Sequence, residues 1–199
     1  MSLYQTPPDS LTIDGRSYPV DTDFRAWMEF QKVMTARRTD EERAEDLCAL
    51  MDRMGLPPGE AALEAMLAFY TAESKEKAVA GQKDKPACFD FEADSEFIFS
   101  EFLRAYGIDL TTAHMHWWKW KALFKSLPDD CQFCKIMQYR TIDMKDVPKG
   151  QRCFYAEQKA RYSLGSAAVH RTEQDMRDYV QRRFEEAKRQ SGKEAQRGK

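Results

Sequence analysis

HMHWWKWKALFKSLPDDCQFCKIMQYR, residues 114–140, gathers three of the chain's four tryptophans, two of its three histidines and a Cys-x-x-C into one stretch. At about 100° per residue, Ala113, Trp117, Trp120, Phe124 and Leu127 fall on one face of a helix, the pattern of an element packed into a core. His114 and His116 point about 160° apart on the same geometry, so they cannot share one ion while the helix persists. Cys131 and Cys134 supply half of a zinc knuckle, and the chain offers neither a second Cys-x-x-C nor a His-x3-His to complete it. A redox reading would need a βαβ unit beside the motif, and none is visible. The stretch therefore reads as a helical packing element, with no metal and no cofactor expected.

Trp118 does not fit the stripe. It lies about 100° or more from Trp117, Trp120 and Phe124, near Met115 and Ala122, which makes the helix apolar on more than one side. Such a helix is either sandwiched between neighbours or half of an interface. In the second case the partner-binding residues are Trp118, Met115, Trp117, Trp120 and Phe124.

Outward from this stretch, helical periodicity dominates. SLTIDGRSYPV reads as a β-hairpin turned at Asp14-Gly15. Phe24, Trp27, Met28 and Met34 mark a first helix behind Asp21 to Asp23. Thr39 with Glu42 forms a capping box for a second, running through Leu47, Leu50, Met51 and Met54 to Gly55. A third carries Leu63, Met66, Leu67 and Tyr70 and fades into a lysine-rich loop at about 74–87. ACFDF leaves room for one short additional strand before Asp94 caps a helix ending at Gly107. Thr111 or Thr112 is expected to cap the tryptophan helix and Pro128 to end it. Asp129 or Asp130 starts the next, another follows Pro148 with Phe154, Tyr155 and Tyr162, and a last one begins at Thr172. The expected fold is mainly α: a multi-helix bundle with a small N-terminal β-hairpin. Residues 1–164 form the helical domain, and residues 165–199 form a linker and charged C-terminal helix.

Composition narrows the function classes. Of 199 residues 32% are charged, yet the net charge is only −2, so no global field favours nucleic acid or an anionic membrane. There is no long apolar run and no signal-peptide pattern at the start, so a cytosolic protein with free thiols is expected. The chain lacks a Gly-rich phosphate loop, G-x-S-x-G and H-E-x-x-H, so no motif places a nucleophile or a base, and an enzyme is not expected.

Several phrases, YPVDTDFRAWMEF, LPPG, FDFEADSEFIFSEFLRAYGIDL, HWWKWKALFKSLPDD and KIMQYRTIDM, together resemble a family of phage and prophage proteins encoded between the major tail protein and the tape-measure protein. That resemblance covers roughly residues 8–164, and Cys131 and Cys134 are not part of it. It implies a non-catalytic tail assembly chaperone that keeps the tape-measure protein soluble and yields to the tail-tube protein, in the cytoplasm of the infected or lysogenic host. Self-association stays open. The alternatives are a structural tail or connector component of the virion, and a nucleic-acid-binding accessory protein using the C-terminal segment. That segment, residues 171–199, has nine Lys/Arg against six Asp/Glu.

Overall fold

In the hairpin, β1 (Ser10–Ile13) pairs antiparallel with β2 (Arg16–Pro19), Leu11 opposite Tyr18. Asp14 and Gly15, at φ 49° and 76°, are the two left-handed residues that a turn matching strand twist requires. Alternation then puts Leu11 and Ile13 on one buried face. The computed structural model describes residues 6–36, 38–71, 88–164 and 176–183. Its helices are α1 (Phe24–Thr35), α2 (Asp40–Arg53), α3 (Glu60–Thr71), α4 (Ser95–Tyr106), α5 (Trp117–Lys125), α6 (Gln132–Thr141) and α7 (Arg152–Arg161, behind a 3-10 turn at Lys149–Gln151). Residues 176–183 are also helical (α8). The fold is mainly α with an N-terminal two-stranded hairpin.

The chain divides into two compact units. The first comprises the described residues within Met1–Thr22, Glu29–Ala78 and Arg171–Lys199; the second comprises those within Asp23–Met28 and Val79–His170. Helix α1 is thus split in sequence after Met28.

In the first unit β1 packs on α3, and Phe30, Leu50, Met51, Met66 and Leu67 fill the interior. The capping box forms as expected: Glu42 N–H donates to Thr39 Oγ1 (3.2 Å) and Thr39 N–H to Glu42 Oε2 (2.9 Å). Arg43, fully buried in α2, donates through Nη2 to the carbonyls of Ala36 and Arg38 (3.1 Å each) and lies 5.3 Å from the Tyr179 ring of α8. Met176, Tyr179 and Val180 are buried, and Arg182 pairs with Asp40 at 3.0 Å. The boundary at residue 164/165 is therefore one of sequence resemblance, whereas α8 groups with the N-terminal elements.

The second unit is held by three buried charged side chains, Asp94, Glu101 and Arg140, and an aromatic core. Arg140 of α6 reaches the Asp94 carboxylate with two bonds (2.6 and 2.7 Å) and the carbonyls of Tyr162 (2.6 Å) and Cys88 (3.1 Å). This bidentate geometry with added carbonyl acceptors is what makes a buried ion pair tolerable. Asp94 does stand at the N-cap of α4, but its side chain makes no cap hydrogen bond, contrary to expectation, because Arg140 and the Asp90 N–H occupy it. Glu101 accepts from Arg104 Nε (2.7 Å) and from the Gln132 N–H (2.9 Å), which serves the open start of α6 from another helix.

Three local expectations are corrected. Residues 88–91 form no strand, because the Asp90 carboxylate takes the N–H groups of Glu92 and Ala93 and curls the backbone. Helix α5 is capped by His116 rather than Thr111 or Thr112, since Asp109 binds the Thr111 amide and hydroxyl in a turn of its own. Helix α6 begins behind Cys131 rather than Asp129 or Asp130. The loop expected at about 74–87 and the expected helix start at Thr172 lie outside the described residues.

Candidate partner-docking site

Helix α5 is positioned at its start by Asp23 and Arg25. Arg25 donates to the carbonyls of Leu110 (2.5 Å) and Ala113 (3.2 Å), Asp23 Oδ2 accepts from the Met115 N–H (3.3 Å), and the Phe24 N–H meets the Met115 carbonyl (3.0 Å). Partial burial alone would raise the Asp23 pKa. The hydrogen bonds from Arg25 and Met115 and the Arg25 charge outweigh it and hold the carboxyl below its usual value. His116 Nδ1 then accepts the Trp118 N–H (3.0 Å), closing the first turn.

The stripe read from sequence packs inward. Trp120 is fully buried and stacks with Phe24, Phe102, Trp117 and Phe124 at centroid distances of 5.8, 5.5, 5.4 and 4.8 Å, while Phe91 meets it edge-on at 5.4 Å. The Trp120 Nε1 has no acceptor among the described residues, so this indole serves as an apolar plate. Of the five residues singled out for binding, Met115, Trp117 and Trp120 are buried, while Phe124 and Trp118 are half-buried. Trp118 shares the outer side of α5 with exposed Ala122 and Lys125, so it is the ring best placed to be touched from outside.

The other conspicuous residues have local structural work. Cys131 Sγ accepts the Cys134 N–H (3.2 Å) as a helix cap, and desolvation together with the neighbouring Cys131 pushes the Cys134 thiol up to about 12. A thiol held protonated is a poor nucleophile and a poor metal ligand. His114 is exposed, with Nδ1 3.4 Å from Asp23 Oδ2, while His116 caps α5. No group of three His, Cys, Asp or Glu side chains suited to a metal occurs among the described residues, and no described helix is long and apolar enough to cross a membrane.

The sequence reading missed a second group of rings. Phe154 of α7 is 51% exposed and contacts Tyr139 (6.2 Å) and Tyr155 (5.4 Å); Tyr139 stacks on Tyr162 (6.2 Å), which meets Phe97 edge-on (6.3 Å). Beside them opens a cleft of 560 Å³ lined by Asp90, Asp94, Phe97, Arg140, Arg161 and Tyr162 among others. The sequence placed Phe154, Tyr155 and Tyr162 in one helical segment, and only the position of α6 shows which rings are left outside.

The family described as Bacteriophage Gp15 protein matches residues 5–164. This chain belongs to that family. The Gp15-family protein is thereby a phage protein of structural or morphogenetic type. No curated protein and no solved structure matches it. The matched span includes α5, the aromatic core and both aromatic surfaces, and it ends at Leu164 before α8.

Proposed function

We propose that this Gp15-family protein is a non-catalytic tail assembly chaperone, which binds apolar helical stretches of the tape-measure protein and releases them as tail-tube subunits assemble. The family match across residues 5–164 carries the reading. The outer side of α5 supports it, because Trp118 gives an amphipathic helix a large ring beside Lys125, with Met115, Trp117, Trp120 and Phe124 as its packed base. Binding and release suit a modest surface of this kind better than a large permanent one.

Co-expression tests it: the protein should keep the tape-measure protein in the soluble fraction and co-purify with it. Trp118→Glu should weaken that pairing while circular dichroism stays unchanged, since the ring is half-exposed. A folded Trp118→Glu protein that pairs normally removes α5 from the surface. Mass spectrometry of purified particles separates this reading from a structural tail component: a chaperone is absent from them, and presence at a fixed copy number overturns the assignment.

A further inference from the structure

The second aromatic group has a chemistry of its own. Five rings, Phe97, Tyr139, Phe154, Tyr155 and Tyr162, run in unbroken contact from α4 over α6 to α7, and Phe154 is the most exposed large hydrophobic among the described residues. The other four rings are half-buried around it, and aromatic side chains are enriched at interfaces because they bury much area with few rotors to immobilise. Over α6 and α7 their setting is basic, whereas at the α4 end Phe97 shares its cleft lining with Asp90 and Glu92. Residues 132–161 carry seven Lys/Arg against three Asp/Glu in a chain whose net charge is −2. Arg140 is neutralised by Asp94, but Lys135, Lys145, Lys149, Arg152, Lys159 and Arg161 form no ion pair among the described residues. Lys159 Nζ and Arg152 Nε are instead anchored on the carbonyls of Ile142 (2.7 Å) and Val147 (3.0 Å), and the Arg161 guanidinium lies 5.7 Å over the Tyr162 ring.

We propose that this α6–α7 face docks an acidic amphipathic helix of a partner protein, its apolar residues at i, i+3/i+4 spacing on the rings and its flanking carboxylates on the basic rim. Charge selects the occupant. A second copy related by a two-fold axis would set this basic rim against itself, which like-charge repulsion disfavours. A nucleic acid would want open ring faces, whereas Phe154 packs nearly perpendicular to Tyr139 (85°) and Tyr155 (83°), and Asp143, Asp146 and Glu157 interrupt the rim. Tyr155 of α7 and Tyr162, the residue that closes its C-terminal end, are seven positions or about two turns apart, a length that a helix of three or four turns covers. The inference rests on the chaperone reading only for whose helix is bound, and the surface is separate from that of Trp118.

The test uses the full chain and fluorescence anisotropy of labelled amphipathic peptides of about 20 residues. One peptide combines leucine with glutamate, a second has every glutamate replaced by lysine, and a single-stranded oligonucleotide is the third probe. The acidic peptide should bind, weaken with added salt, and lose at least about tenfold in affinity in Phe154→Glu, while Ser17→Glu, an exposed change on β2, binds it as the wild type does. Circular dichroism controls the fold, and Phe154→Ala, which adds no charge, should weaken binding to a smaller extent. Equal binding of both peptides, unchanged affinity in Phe154→Glu and Phe154→Ala, or preference for the oligonucleotide overturns the proposal. No tape-measure protein enters the assay, so acidic-peptide binding can stand where co-expression fails, and co-expression can succeed where peptide binding fails.

Discussion

Removing one member of the Asp94–Arg140 pair leaves the other charged, buried and short of partners. Arg140→Ala should therefore cost about 3–5 kcal/mol, whereas replacing both with apolar residues of similar size should cost much less. Urea unfolding of the single and double variants measures the difference. Asp23 gives a second residue-level expectation. Its folded pKa is depressed, so its contribution is fully present above the unfolded value of about 3.9 and is lost as pH falls through the folded one. The wild type should be more stable than Asp23→Asn at neutral pH, and the gap should close in acid; a gap independent of pH would contradict the charge-based account. Neither role is legible in the sequence. Arg140 lies 46 residues from Asp94, and Met115 lies 92 from Asp23, so a local rule makes both acids helix caps and stops there.

At the scale of elements, what the sequence made plain is what neighbours in the chain decide. The Thr39–Glu42 capping box, the Asp14-Gly15 turn and the left-handed Gly107 at φ 66° all form from residues within a few positions of each other. The starts of α5 and α6 shifted because Asp109 and Glu101 reach backbone amides by routes that no periodicity reveals. Of the candidate site, the Trp117–Trp120–Phe124 face was readable from spacing. Exposed Phe154 and the half-buried rings around it were not, because helical spacing looks the same whether a face is covered or bare. Within the α5 stripe the burial gradient gives an ordering: Trp120→Ala and Trp117→Ala should each cost about 3–5 kcal/mol, and half-buried Phe124→Ala less. Thermal and urea melts of the three variants check it, and equal small losses would show that the aromatic stack contributes little.

At the scale of the whole molecule, the contact pattern assigns the described C-terminal helix to the unit that begins at the hairpin. In sequence the segment after Gly165 reads as a linker and a charged helix whose apolar stripe, Met176, Val180, Phe184 and Ala187, is too narrow to build a core alone. Instead Met176, Tyr179 and Val180 are buried and Tyr179 covers the side chain of Arg43. Deleting residues 166–199 should therefore lower the melting temperature by about 5 °C or more, because apolar area returns to water and a buried guanidinium loses its cover. A truncated chain that melts like the full one would make α8 an ornament.

That arrangement also has a consequence in time. A ribosome finishes α3 roughly a hundred residues before it reaches α8. At about 5–20 residues per second the hairpin and α1–α3 wait some 5–20 s for their last piece, with Arg43 uncovered. The second unit needs only the short strip Asp23–Met28 from upstream, already synthesised, and can close first. Order of birth and order of completion are thus reversed, and the N-terminal unit is the part of the nascent chain exposed longest to proteases and to premature encounters with its own kind.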